Sequence, residues 1–286
     1  MAGIASEWHK DLDKHRLKSM DEIFSTTKPV IGMVHLPPLP GTAGYTGYSV
    51  TEITDFALRD ARTLAEGGVD GIIVENMWDV PFTAHDNIDP EQMCAHAVAA
   101  AAVVKEVDLP VGINVIHNGG RICLAVALAA GADFMRVCML TGAGVWDGGE
   151  FDRGVARELL TARKLCEAEH IKLFCDVDKK HSVRFPGIDL ETHIEWTVFY
   201  MADAIIISGR MTGDAPDVGK VRRAKELAKG RPILLGSGTT PENIGGFFQF
   251  ADGCITGFSL KDAGHPWRPV NPDLVKKFMN AAEKAR

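Results

Sequence analysis

Residues 232–259 read PILLGSGTTPENIGGFFQFADGCITGFS, and the fold turns on how they are understood. Ile233-Leu234-Leu235 is a short apolar run of the length of a buried parallel strand. Gly236-Ser237-Gly238 follows, and its two glycines let backbone N–H groups lie bare against a ligand. Thr240 as cap, Pro241 at the first helical position and Glu242 in the first turn predict a helix starting here. A glycine turn feeding a helix N-terminus is an anion site. Ala251-Asp252 then leads into a second strand, Gly253–Thr256, closed by Gly257. Gly236, Ser237, Gly238, Gly257 and Ser259 are therefore candidate phosphate ligands at two neighbouring strand ends. The plainer reading is a pair of tight βα turns.

The same alternation extends outward in both directions. Strands are predicted at Val30–Val34, Gly71–Val74, Val111–Val115, Phe134–Val137, Lys172–Cys175 and Ala204–Ile207, before the two at 233–235 and 253–256. Helical patterns separate them, with Asp89-Pro90 and Gly131 among the punctuation and a last helix from Pro272 to about Ala285. Eight strand–helix units in one chain of 286 residues predict an α/β fold, a closed (β/α)8 TIM barrel. Residues 1–28 are predicted to be a short N-terminal helical extension, with Trp8, Leu12, Leu17, Met20, Ile23 and Phe24 turned inward as a lid on the barrel bottom. No linker divides residues 29–286, which are read as one barrel domain. The phrases GGVDGIIV, AGADFMRV, MADAIIIS and FADGCITG repeat a helix-stop-then-strand joint.

The totals narrow the function classes. Hydrophobic content of 46% and charged content of 24% are ordinary for a globular enzyme. A net charge of −7 argues against nucleic acid as a partner. No apolar run approaches a membrane span. Six cysteines without a CxxC pair read as reduced thiols, which with the absence of a hydrophobic leader points to the cytoplasm and leaves organellar import open. Trp196, Val198, Phe199 and Tyr200 form an apolar cluster, either core or the interface of an expected homo-oligomer.

Chemistry in such a barrel sits at the strand C-termini. That rule nominates His35, Glu75, Asn76, Asn114, Arg136, Asp176, Lys180, His181, Ser208 and Thr212. Charged groups inside or just after apolar strands are costly unless paired or used. Glu75 and Asp176 are candidate acid/base carboxylates, and His35 and His181 candidate acid/base imidazoles. Arg136 reads equally as substrate orienter or as half of a structural ion pair. Asn76, Asn114, Ser208 and Thr212 are candidate substrate hydrogen-bonders. Lys180 is a candidate amine or phosphate cation, preferred to Lys179 because adjacent side chains in extended backbone point opposite ways. Lys261 is a further cation that would flank the phosphate, or lie on the surface. His117, in an Asn-Gly-Gly loop, is a weaker candidate. The residue types allow a divalent metal on His35, Glu75, Asp176 and His181, although no HExxH-like spacing singles it out. No cofactor motif is present.

The phrases IGMVHLPPLPG (31–41), GVDGIIVENMWDVPF (68–82), IISGRMTGDAPD (206–217), GSGTTPENI (236–244) and DGCITGFSLKDAG (252–264) resemble the BtpA/SgcQ family, from Pro29 to the last helix. The resemblance implies a barrel akin to the ribulose-phosphate-binding barrels. The family is named after a protein needed for photosystem I accumulation, and other members sit among sugar-phosphate genes. The loops after the third to fifth strands depart from the family pattern. Asn114-Val-Ile-His-Asn118, Cys138 and Asp176-Val-Asp178-Lys179-Lys180-His181 stand where members often read NVLRND, Asn and DVHVKH. The expectation is an enzyme acting on a small phosphorylated sugar or ribosyl metabolite, of isomerase or epimerase, lyase or ribosyl-bond-cleaving type. For want of a secure Schiff-base lysine, proton transfer or ribosyl-bond cleavage is preferred. The alternative is a non-catalytic assembly or stability factor using the barrel as scaffold or ligand sensor.

Overall fold

A computed structural model describes residues 19–85 and 87–286. Trp8, Leu12 and Leu17 lie outside the described residues. In chain order the elements are α1 (Ser19–Ile23), β1 (Val30–His35), α2 (Val50–Glu66), β2 (Gly71–Glu75), α3 (Pro90–Glu106), β3 (Val111–Asn114), α4 (Gly120–Ala130) and β4 (Phe134–Val137). Then come β5 (Ala143–Trp146), β6 (Phe151–Arg153), α5 (Ala156–Leu165), β7 (Lys172–Val177), β8 (Ser182–Arg184), α6 (Leu190–Phe199), β9 (Ala204–Ile207) and α7 (Val218–Leu227). The last are β10 (Ile233–Leu235), α8 (Ile244–Phe247), β11 (Gly253–Thr256) and α9 (Pro272–Ala285). Parallel strands close into a barrel in the order β1-β2-β3-β4-β7-β9-β10-β11 and back to β1. The fold is thus the (β/α)8 barrel that the alternation predicts.

Local chemistry sets the helix ends. Ser49 and Glu52 form a capping box at α2, with the Ser49 N–H donating to Glu52 Oε2 at 2.8 Å and the Glu52 N–H to Ser49 Oγ at 3.2 Å. Asn271 accepts from Asp273 and Leu274 N–H to start α9. One expected helix is cut short. A single turn does close at Thr240, whose carbonyl accepts the Ile244 N–H at 3.1 Å and whose N–H donates to Asn243 Oδ1 at 2.8 Å. Regular helix follows only as α8, four residues from Ile244.

The recurring Asp before a strand is a two-bond clasp. Asp70, Asp133, Asp203 and Asp252 each accept from the N–H of Val30, Val111, Leu173 and Ile233, at 2.7, 2.9, 2.8 and 2.8 Å. Their own N–H groups donate back to the carbonyls of the same four residues. Each clasp ties the start of one strand to the start of its neighbour: β1 to β2, β3 to β4, β7 to β9, β10 to β11.

Strand period two divides the core. Outward residues such as Val30, Val34, Ile72, Val74, Leu173 and Cys175 pack under the helices. Inward residues Ile31, Met33, Ile73, Phe134, Phe174, Ile206, Leu234 and Ile255 fill the lower barrel. Gly112 makes room for them, since a Cβ there would meet Phe134 Cε2 at 2.2 Å. Met20 and Phe24 join this interior cluster from below, with Phe24 5.9 Å from Phe134 ring to ring. The small sheet β6-β5-β8, antiparallel and built from the loops after β4 and β7, is not foreseen by the strand pattern.

The six cysteines are thiols, with Cys94 and Cys166 exposed and the others buried. Among the described residues no helix is long and apolar enough to cross a membrane. On α6, Trp196, Phe199 and Tyr200 are exposed while Val198 packs against the core. Replacing Asp203, 2% exposed, by Ala strands the Leu173 N–H. The expected outcome is a loss of about 1–3 kcal/mol in urea-unfolding free energy, with the elements retained by circular dichroism.

Candidate active site at the mouth of the barrel

The inward alternation carries a polar or glycine residue to the top of every strand. His35 pairs in register with Glu75, Glu75 with Asn114 and Asn114 with Arg136, so β1 to β4 present one polar layer. Asp176, Ser208, Gly236 and Gly257 continue it around the ring. Above this layer lies a cavity of about 430 Å³. That is within the range of roughly 300–1,000 Å³ typical of small-molecule sites.

The structure brings His35, Glu75, Arg136, Lys180 and Thr212 to this cavity, together with Gly236, Ser237, Gly238, Gly257 and Ser259. Gly236 and Gly238 are needed for space. A Cβ on Gly236 would meet Ser208 Oγ at 2.3 Å, and one on Gly238, at φ +72°, would meet Ala215 N at 2.1 Å. The Gly236 N–H is used by Ile207 O. Those of Ser237, Gly238, Gly257 and Ser259 have no protein acceptor among the described residues. Two of the lining residues also carry a fully buried polar atom without a hydrogen bond among the described residues: His35 Nδ1 and Thr239 Oγ1. Thr239 is absent from the residues nominated above, although its place directly after the Gly-Ser-Gly turn marks it.

Arg136 and Asp176 form the centre of the ring. Nε and Nη2 of Arg136 donate to the two carboxylate oxygens, both at 2.8 Å. Burial raises the Asp176 pKa, but Arg136 and Lys179 outweigh it and hold the carboxyl below its usual range. The structural half of the two readings of Arg136 is therefore realised, while its guanidinium still borders the cavity. Lys179 turns away from the cavity, 3.7 Å from Asp176 Oδ2 and 3.3 Å from Cys138 Sγ. Lys180 turns into it, and burial, then Arg136 and Lys179, push its ammonium down to about 7. His35 Nε2 lies 3.8 Å from Glu75 Oε1. Burial, then the charges of Lys261 and Lys180, holds the His35 imidazole neutral, well below its ordinary pKa.

Other nominated residues go elsewhere. His181 is a loop clamp beside a second cavity: Nε2 accepts the Thr212 N–H at 3.1 Å, and Nδ1 pairs with Asp147 Oδ2 at 2.8 Å. Asn76 holds the next loop, donating to Ile116 O at 2.8 Å and accepting its N–H at 2.7 Å. Asn114 donates to Arg136 O at 3.0 Å, and its Oδ1 is buried without a partner. Ser208 is buried beside Asp176 at 3.5 Å. Lys261 is buried rather than flanking the glycine turns, 3.8 Å from Asp60. His117 packs on Trp146 near Asp152, in a buried polar cluster with His85, away from the first cavity.

The four residues considered for a metal are not assembled. Both Asp176 oxygens serve Arg136, and His181 is bound to another loop. Among the described residues no group of three His, Cys, Asp or Glu is placed to hold an ion.

This fold is shared with structures of (β/α)8-barrel enzymes. Phosphoribosylanthranilate isomerase from Pyrococcus furiosus superposes with a TM-score of 0.55 at 12% identity, over 90% of this chain and 99% of that one. Tryptophan synthase from Mycobacterium tuberculosis gives 0.57 at 16% identity, over 95% and 96%. The chain belongs to the BtpA family, whose profile matches residues 26–284. A protein of Methanocaldococcus jannaschii is 40% identical over 91% of this chain and 97% of its own length. The photosystem I biogenesis protein BtpA of Synechocystis is 39% identical over 91% of this chain and 90% of its own.

The buried pair dictates a pH response. Because the native Asp176 carboxyl is held low, its stabilisation is complete above the ordinary carboxylate range and is lost as pH falls through the lowered native value. Asp176→Asn is expected to cost about 3–5 kcal/mol at neutral pH, by leaving Arg136 buried with no counter-ion. It is also expected to flatten the acid limb of a stability–pH curve; an unchanged limb contradicts this.

Proposed function

We propose that this protein is an enzyme acting on a small phosphorylated metabolite, with the phosphate at the β10 and β11 turns. The observation that carries the reading is the free N–H groups of Ser237, Gly238, Gly257 and Ser259 beside one cavity. They are donors without acceptors, and a phosphate supplies acceptors. The support is not a helix dipole, since α8 is too short and starts too late. The two carboxylates nearby do not oppose the same ligand, since Arg136 and Lys179 offset the charges of Glu75 and Asp176. The structural relatives add a parallel, since one phosphoribosylanthranilate isomerase is known in complex with a reduced carboxyphenylamino-deoxyribulose 5-phosphate.

In this reading the chemistry lies on the opposite wall. Neutral His35 offers its imidazole as a proton acceptor, and Glu75, 3.8 Å from Nε2, steadies the imidazolium that forms. Such a pair suits isomerisation, epimerisation or cleavage next to a carbonyl or anomeric carbon. A role in photosystem assembly rests on the name of the Synechocystis relative. An equally similar relative in Methanocaldococcus jannaschii means that this level of identity does not single out that role.

The test is thermal and chemical denaturation with sugar phosphates against their parent sugars. A phosphorylated ligand at a hundredfold its Kd should add about 2.7 kcal/mol, and Ser259→Asp should abolish the gain. Once turnover is found, Glu75→Gln and His35→Asn should each lower kcat about 10²- to 10⁴-fold. Equal shifts with unphosphorylated sugars, or full activity in both variants, would sink the reading.

A further inference from the structure

Lys180 is the group in the cavity that neither the ion-pair network nor the glycine turns explain. Its nitrogen makes no hydrogen bond or ion pair among the described residues, although it lines the site. No carboxylate is in contact with it: Asp176 gives both oxygens to Arg136 and lies 3.7 Å from Lys179, and Glu75, beside the neutral His35, acts on the amine only across a gap. Lys180 is half-buried at the cavity wall, and with the cations Arg136 and Lys179 close by and no carboxylate in contact its surroundings favour the neutral amine. Lys180 lies in the loop just beyond β7, a strand four places from β1, which ends in His35. The amine and the neutral imidazole line one cavity, together with the glycine turns of β10 and β11.

We infer that Lys180 is a catalytic, imine-forming lysine, and that the substrate is a small phosphorylated aldehyde or ketone. This rests on the phosphate reading of the same cavity. The amine lone pair attacks the carbonyl carbon and the C=O pair moves to oxygen. Proton transfer gives a carbinolamine, which takes up a proton from solvent and loses water to leave a protonated imine. The imine then accepts the electron pair of the adjacent C–H bond, whose proton passes to the His35 imidazole, giving an enamine. The depressed ammonium pKa of about 7 is what such an attack at neutral pH requires.

Borohydride trapping of the full chain tests it. Ribose 5-phosphate, dihydroxyacetone phosphate and pyridoxal 5′-phosphate are the probes, each with and without excess inorganic phosphate. The expected result is an irreversible adduct on Lys180, ahead of every other lysine, with a mass gain equal to the probe less one oxygen atom. Inorganic phosphate should suppress it. Lys180→Arg, which keeps a cation but forms no imine, should bind phosphate as before and lose the adduct. Mapping in the unaltered protein decides the matter if that variant does not fold. No adduct on Lys180 with any probe, or labelling no faster than at surface lysines, overturns the inference. If the probes still stabilise the fold, only the imine fails and Lys180 is a phosphate counter-cation; if they do not, the phosphate reading fails as well.

Discussion

The bidentate pair of Arg136 and Asp176 is the interaction on which the mouth of this barrel depends. Below it the interior is apolar, from Met20 and Phe24 up through Phe134, Phe174 and Leu234. A guanidinium above such a core persists only with its charge matched and its donors filled. Asp176 matches the charge and takes the Nε and Nη2 donors, and is thereby withdrawn from acid/base or metal chemistry. Lys179 leans on the same carboxylate, so no carboxylate is left in contact with Lys180. The structural pair and the unpaired amine are two consequences of one count of charges.

The clasps formed by Asp70, Asp133, Asp203 and Asp252 do the corresponding work at the other end. Each aligns two strand starts, and strand period two then fixes which residues arrive inward at the top. A one-residue slip would turn Glu75 or Asp176 outward beneath a helix. The registers His35–Glu75–Asn114–Arg136 show that no slip occurs. Bottom clasps and top chemistry are linked through the rigid strands between them.

Beside the barrel stands a small sheet of its own. The loops after β4 and β7 meet as β5, β6 and β8, and the clamp of His181 to Asp147 and Thr212 crosses between them. His181, attractive by residue type, is spent on that clamp. Asn76 is likewise spent on the loop at Ile116. Residue type and strand-end position identify what is near the mouth. They do not say which polar atoms the loops consume, because those partners are more than thirty residues away in the chain.

What the sequence alone determined is the eightfold alternation, the bounds of β4, β9, β10, β11 and α9, and the ring of inward residues from His35 to Gly257. These follow from local signals: apolar runs, period two, Gly and Pro punctuation, and the Asp before the strand. The family followed as well, from phrases spread along the chain. Tertiary structure alone decided the rest. It paired Arg136 with Asp176, separated Lys179 from Lys180, buried Lys261 on Asp60 and cut the helix expected from Thr240 down to Ile244–Phe247. Hydrogen bonds and charge pairs are contests among all partners within reach. Only the folded chain fixes which partners those are.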